Sequence, residues 1–230
     1  MATIHLHPTA PLAERVLLPG DPGRALRLAQ SLLEKPAMFN HNRGLWGYTG
    51  QTADGLDLTI QSTGMGGPSA AIVIAELADL GARTLVRVGT CGSLDGGLGL
   101  GDLLVATQAI PCDGASRALG AERPLAPDAE LLEALQRSAA PAGVSGPVVS
   151  TDLFYDGPAD EERRWREAGA LAVEMETATL FGLAARRRLR AASLLVVSDL
   201  LLGGRVRIEP AALLEAEERL GRAALRALSA

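Results

Sequence analysis

The chain has 230 residues, 47% of them hydrophobic, and a formal net charge of −5. That length and apolar content suffice to bury the core of one α/β domain, and the acidic balance without a basic stripe excludes nucleic acid as a bulk partner. Cys91 and Cys112 are too few and too poorly patterned for a disulfide scaffold or a zinc site, so no metal is expected. Met1-Ala2-Thr3-Ile4-His5 lacks the basic and apolar blocks of a signal peptide, and no apolar run reaches the ~20 residues of a bilayer span. The expectation is a cytoplasmic protein without membrane contact.

In chain order, β-branched and apolar runs predict strands at 16–18, 46–51, 58–61, 85–88, 103–106, 147–149, 171–174 and 194–197. Longer Ala/Leu/Arg segments predict helices at 24–33, 68–80, 128–140, 161–168, 175–188 and 210–228. Asp21-Pro22, Gly67-Pro68 and Glu209-Pro210 supply helix starts, and Asp54-Gly55 signals a hairpin. The alternation predicts a single domain over 1–230, an α/β sandwich with a mixed sheet. Segment 113–127, rich in Ala, Gly, Pro and charge, reads as a surface excursion. In such folds sites collect at the carboxyl ends of strands.

Several polar clusters follow strands. Leu18-Pro19-Gly20-Asp21-Pro22-Gly23-Arg24 opens a helix, and Arg24 in the first turn opposes the helix dipole, so a nearby anion would resolve the conflict. An exposed arginine on a turn is the alternative. Arg87 lies within an apolar run, where a charge requires a partner. Gly89 and Gly92 then predict a tight loop whose amides, with the Thr90 hydroxyl, hold phosphate oxygens. Pairing of Arg87 with a glutamate is the other reading, and with Glu176 both would hold. Gly64-Met65-Gly66-Gly67-Pro68 is either an anion loop or a close backbone crossing.

Val173-Glu174-Met175-Glu176 places two carboxylates two residues apart at a strand end, predicting one shared face. Like charges there repel unless something uses them. Ribose hydroxyls would, because an ionised carboxylate only accepts hydrogen bonds; a solvated strand end is the plainer alternative. Val197-Ser198-Asp199 sets a carboxylate directly after an apolar strand, as a general acid or a loop cap. A free aspartate is only roughly one part in a thousand protonated at pH 7. A donor role therefore requires burial or a substrate bond.

In order and spacing, Leu18–Pro22, Asn42-Arg43-Gly44, Gly64-Met65-Gly66, Arg87–Gly92, Asp152-Leu153-Phe154-Tyr155, Val173–Glu176 and Val197-Ser198-Asp199 resemble the nucleoside phosphorylase family. The branch is that of bacterial hexameric purine nucleoside phosphorylases and uridine phosphorylases, and the resemblance covers nearly the whole chain. It implies a three-layer α/β/α phosphorylase-like fold and phosphate-dependent cleavage of nucleosides to free base and pentose 1-phosphate. Phosphate, a co-substrate with no other cofactor, would be held by Gly20, Arg24, Arg87 and Thr90, with Arg43 reaching across from a neighbouring subunit. Met65, Met175 and Glu176 would hold ribose, with the neighbour's His5 near the 5′-hydroxyl. The base would lie against Phe154 beside Val173 and Glu174, next to Ser198, and Asp199 would protonate purine N7. The implied assembly is a homohexamer, a trimer of dimers with sites shared across the dimer interface.

The branch features divide. Asp199 follows the purine pattern, and Asp156-Gly157-Pro158-Ala159-Asp160 lacks the Gln and Arg with which uridine enzymes read uracil. Thr90, Asp113–Ser116 and Met175–Leu180 look more like the uridine branch. The base-contacting positions favour purine, with uridine as the alternative. Purine enzymes also place an arginine in the last helix beside the catalytic aspartate; 210–214 has none, and Arg205 or Arg207 are the candidate replacements. A nucleosidase using water would need no arginine cluster, and a non-catalytic nucleoside-binding protein would have no use for Asp199.

Overall fold

The computed structural model describes residues 3–229, so Met1 and Ala2 of the starting segment, and Ala230, lie outside the described residues. The first half comprises β1 (Arg15–Leu18), α1 (Pro22–Leu32), β2 (Glu34–Asn40), β3 (Gly47–Gln51), β4 (Asp57–Gln61), α2 (Gly67–Leu80), β5 (Thr84–Ser93) and β6 (Leu103–Pro111). The second comprises α3 (Gly114–Ala118), α4 (Ala129–Ala139), β7 (Val144–Ser150), α5 (Glu161–Glu167), β8 (Ala172–Glu174), α6 (Thr177–Arg187), β9 (Arg190–Leu200), β10 (Val206–Arg207) and α7 (Pro210–Ser229). Local chemistry sets the boundaries. Asp21 caps α1 by accepting from the Gly23 and Arg24 amides at 3.0 and 2.8 Å, with Pro22 in the first turn. Gly81, at φ 117°, stops α2 in a conformation that few other residues tolerate.

The strands form one mixed sheet in the order β10-β9-β6-β7-β8-β5-β1-β4-β3-β2. β9 also pairs with β5, so β5, β8, β7, β6 and β9 close on themselves. Two apolar clusters cover the sheet. On one face α1, α4 and α7 supply Leu28, Leu131 and Leu220; on the other, α2 and α6 supply Ile74, Leu77 and Phe181. This is the expected three-layer arrangement. Among the described residues, no helix is long and apolar enough to cross a membrane.

Besides the short strand β10, which was not expected, three segments depart from the sequence expectation. β2 was not foreseen because Pro36 interrupts it, yet at the sheet edge a missing amide leaves no ladder bond unmade. β5 continues to Ser93, paired with β9 throughout, where a tight loop at Gly89–Gly92 was expected. The expected surface excursion at 113–127 is instead tied into the interior. Asp113 is fully buried, caps α3 by accepting from the Ser116 amide, and bonds the Ser116 and Thr179 hydroxyls. Leu125 forms an antiparallel bridge with Ala109.

Asp113→Ala removes a helix cap and strands two buried hydroxyls, so it should cost about 2 kcal/mol or more in urea unfolding. A loss below about 0.5 kcal/mol, the ordinary size for a surface position, would return this segment to the periphery.

Candidate active site

β4, β1, β5 and β9 run parallel, so their carboxyl ends deliver the following chain to one edge of the sheet. A pocket of about 820 Å³ opens there. Its lining includes Gly20, Arg24, Met65, Arg87, Thr90, Phe154, Val173, Glu174, Met175, Glu176, Ser198 and Asp199. Twelve of the fourteen residues singled out from sequence therefore meet in one cavity. Arg24 Nη1 lies 3.4 Å from the Val88 carbonyl, and Asp199 pairs in register with Gly92. Those β5 positions are about 13 Å apart at the usual strand rise, a span on the scale of a nucleoside.

Arg87 anchors the floor. It is 5% exposed; its Nε donates to Glu174 at 2.9 Å and its Nη2 forms an ion pair with Glu176 at 2.5 Å. Burial lowers the affinity of its guanidinium for the proton, but Glu176 and Glu174 together outweigh that and raise it. Gly89 has a steric role here. A Cβ at Gly89 would lie 2.7 Å from the Arg87 guanidinium and 3.0 Å from Leu195. The glycine is thus what allows the arginine to fold across its own strand, where the sequence suggested a loop hinge.

The two glutamates do not share a strand face as expected, because β8 ends at Glu174 and Glu176 already precedes α6. They converge on Arg87 instead. Glu174 is spent on the protein: it accepts from Arg87, from the Glu176 and Thr177 amides at the start of α6, and from Ser150. Its carboxylate is therefore a support for Arg87, within the segment expected to lie beside the base. Glu176 accepts from the Gly66 amide at 2.5 Å, tying the glycine-rich loop after β4 to the floor. Burial pushes its carboxyl above the ordinary range, against the opposing pull of Arg87.

Arg24 is also paired from within. Its Nε donates to Glu217 of α7 at 2.8 Å, and Arg27 holds the other oxygen of that carboxylate at 2.6 Å. The conflict with the helix dipole is thus met by a nearby anion from within the chain, Glu217, and the alternative of an exposed arginine does not hold. The signal was present in the sequence: Glu217 interrupts the apolar stripe Leu213, Ala216, Leu220, Ala224.

Asp199 lies within β9 at 5% exposure, where a position just past the strand was expected. Ser198 Oγ donates to its Oδ2 at 2.7 Å, while Oδ1 is buried with no partner among the described residues. An unpaired buried polar atom is rare in native proteins and is expected to meet a ligand or solvent. Arg205 and Arg207 line the same pocket, with the Arg205 guanidinium carbon 4.4 Å from the centroid of the Phe154 ring. Beside Asp199, burial pushes the Cys91 thiol far up, so this cysteine is an inert part of the wall.

His5 and Arg43 do not line this pocket. His5 Nδ1 lies 2.7 Å from Glu76, and Asn42 donates to the His5 carbonyl at 2.8 Å, which ties the His5 and Arg43 segments together. Arg43 is exposed and holds φ 58°, a conformation that costs a non-glycine residue about 1–3 kcal/mol. Among the described residues, no group of three His, Cys, Asp or Glu side chains is placed to hold a metal ion.

The model of the Phosphorylase superfamily matches residues 14–229, and the chain belongs to that family. A DeoD-type purine nucleoside phosphorylase of Geobacillus kaustophilus is 41% identical over 204 residues, covering 85% of each chain. One from Jannaschia sp. is 42% identical over 209 residues, covering 87% of this chain and 88% of that protein. A guanosine phosphorylase of Halorubrum lacusprofundi is 40% identical over 195 residues, covering 83% and 80%.

Gly89→Ala forces the Arg87 guanidinium off its two carboxylates, and such overpacking should lower stability by about 1–3 kcal/mol in chemical denaturation. Unchanged stability would show that the guanidinium has room to move.

Proposed function

We propose that the chain cleaves purine ribo- and deoxyribonucleosides with inorganic phosphate, releasing the base and pentose 1-phosphate. The observation that carries this reading is the buried, unpartnered Asp199 Oδ1 in a cavity floored by the Arg87–Glu176 pair. Phosphate attacks C1′ as the glycosidic bond breaks and the sugar gains positive character. Arg24 and Arg87 orient the anion, each charge-assisted contact contributing about 1.5–3 kcal/mol net. Glu176 accepts from the ribose hydroxyls, using the lone pairs left free by Arg87 and Gly66, which fixes the anomeric carbon over the nucleophile. Asp199 gives its proton to N7, so the base departs neutral. The names of the purine-specific relatives support the choice of base. No cofactor is required in this scheme.

Charge balance supports a shared site. Arg24, Arg27 and Arg87 are matched by Glu174, Glu176 and Glu217, three cations against three anions, which leaves the charge of phosphate to be met from elsewhere. Arg43, exposed and off its own pocket, suits delivery from a second copy, together with the tethered His5. The assembly we propose is a hexamer built from such dimers, working in the cytoplasm.

Inosine, guanosine, adenosine and uridine, assayed with and without phosphate, test the reaction. Purine turnover should require phosphate and yield pentose 1-phosphate, and Asp199→Ala should slow it at least about 100-fold while nucleoside still binds. Cleavage of uridine alone, or turnover indifferent to phosphate, would overturn the proposal.

A further inference from the structure

We propose that Arg207 reads the 6-position of the base and makes this chain a 6-oxopurine enzyme, a specificity that rests on the phosphorolysis reading above. β10 is only two residues long, and it sets Arg207 directly opposite Asp199 in antiparallel register. Directly opposed residues of such a pair project to the same face, with Cβ atoms about 4.5–5.5 Å apart. Both residues line the cavity. The connection from β9 turns through Gly203 and Gly204, at φ 78° and 111°, which places β10 back along β9. Arg205, stacked on Phe154, clasps this strap to the loop after β7.

The charge state of the strap separates it from the floor. Arg24, Arg27 and Arg87 are neutralised by buried carboxylates, whereas neither Arg205 nor Arg207 forms an ion pair among the described residues. A guanidinium donates and never accepts. The atom facing Arg207 must therefore be an acceptor, and Asp199 fixes which base edge that is. A base whose N7 lies against Asp199 presents its 6-substituent to the neighbouring residue across the ladder. In hypoxanthine and guanine that substituent is a carbonyl oxygen, which accepts from arginine; in adenine it is an amino group that donates. Arg207 meets the first with a hydrogen bond and the second with two opposed donors. The rest of the lining agrees in sense, because it includes Glu161 and Glu162, acceptors that suit the N1–H that 6-oxopurines carry and adenine lacks.

The test compares kcat/KM for guanosine, inosine and adenosine at fixed phosphate, using the full chain. The wild type should favour the 6-oxopurine nucleosides by about 10-fold or more, the usual scale of one well-placed donor–acceptor match. Arg207→Gln, whose amide both donates and accepts, should erase or reverse that ratio, whereas Arg207→Lys should keep its direction. Arg207 sits on an exposed two-residue edge strand, so these variants leave the core intact. Adenosine used as well as inosine by the wild type, or an equal loss on all three substrates in Arg207→Gln, overturns the proposal. If no purine nucleoside turns over, the phosphorolysis reading fails separately. Calorimetric binding of hypoxanthine against adenine then decides this one: about 10-fold tighter hypoxanthine sustains it, and equal affinities refute it.

Discussion

Arg87 carries a full charge into the interior of the sheet, and the chain meets it with Glu174 and Glu176 together. Removing one partner from a buried pair of this kind costs about 3–5 kcal/mol, so the surrounding backbone is obliged to keep all three groups in place. Glu174 is held in turn by the first amides of α6 and by Ser150, and Glu176 by the Gly66 amide. One guanidinium thereby ties the middle of β5 to the junction of β8 with α6 and to the glycine-rich loop after β4. These are the segments to which the proposed function assigns the sugar. Rigidity at the site follows from the requirement to keep that charge paired.

The same interaction divides the cavity by electrostatic character. Its floor is balanced, with arginines and glutamates matched one for one, so an added anion is attracted by geometry and hydrogen bonding more than by net charge. The wall near Asp199 is different, because Arg205 and Arg207 form no ion pair there among the described residues. In the proposed function the balanced floor takes sugar and phosphate and the wall bearing Arg205 and Arg207 takes the base, a division that α7 and β10 would impose from the far end of the chain. Glu217 belongs to α7 and Arg207 to β10, so the last strand and helix of the fold set both characters.

Much of this was legible from residue order. Alternating apolar runs located eight of the strands, and polar clusters just past strand ends gathered into one cavity because parallel strands deliver their carboxyl ends to one edge. The failures share a cause: tertiary partners are invisible to local pattern. Gly89 looks like a hinge until the Arg87 side chain is seen lying over it. Asp113, Glu174 and Glu217 look solvent-facing by residue type, yet each is a buried acceptor fully engaged by groups distant in sequence. The closure of β5 through β9 into a ring is a long-range pairing that no periodicity encodes. Arg43 and His5 are a different case: they lie away from their own cavity, and the role proposed for them requires a second copy.

The most direct measurement is diffraction from crystals of the protein grown with inorganic phosphate and a non-hydrolysable purine nucleoside analogue. The account predicts phosphate on Arg24, Arg87 and the Arg43 of a second copy, Glu176 on the sugar hydroxyls, and Asp199 Oδ1 against N7. Phosphate bound elsewhere, with Arg87 turned away from Glu176 and the analogue, would contradict it.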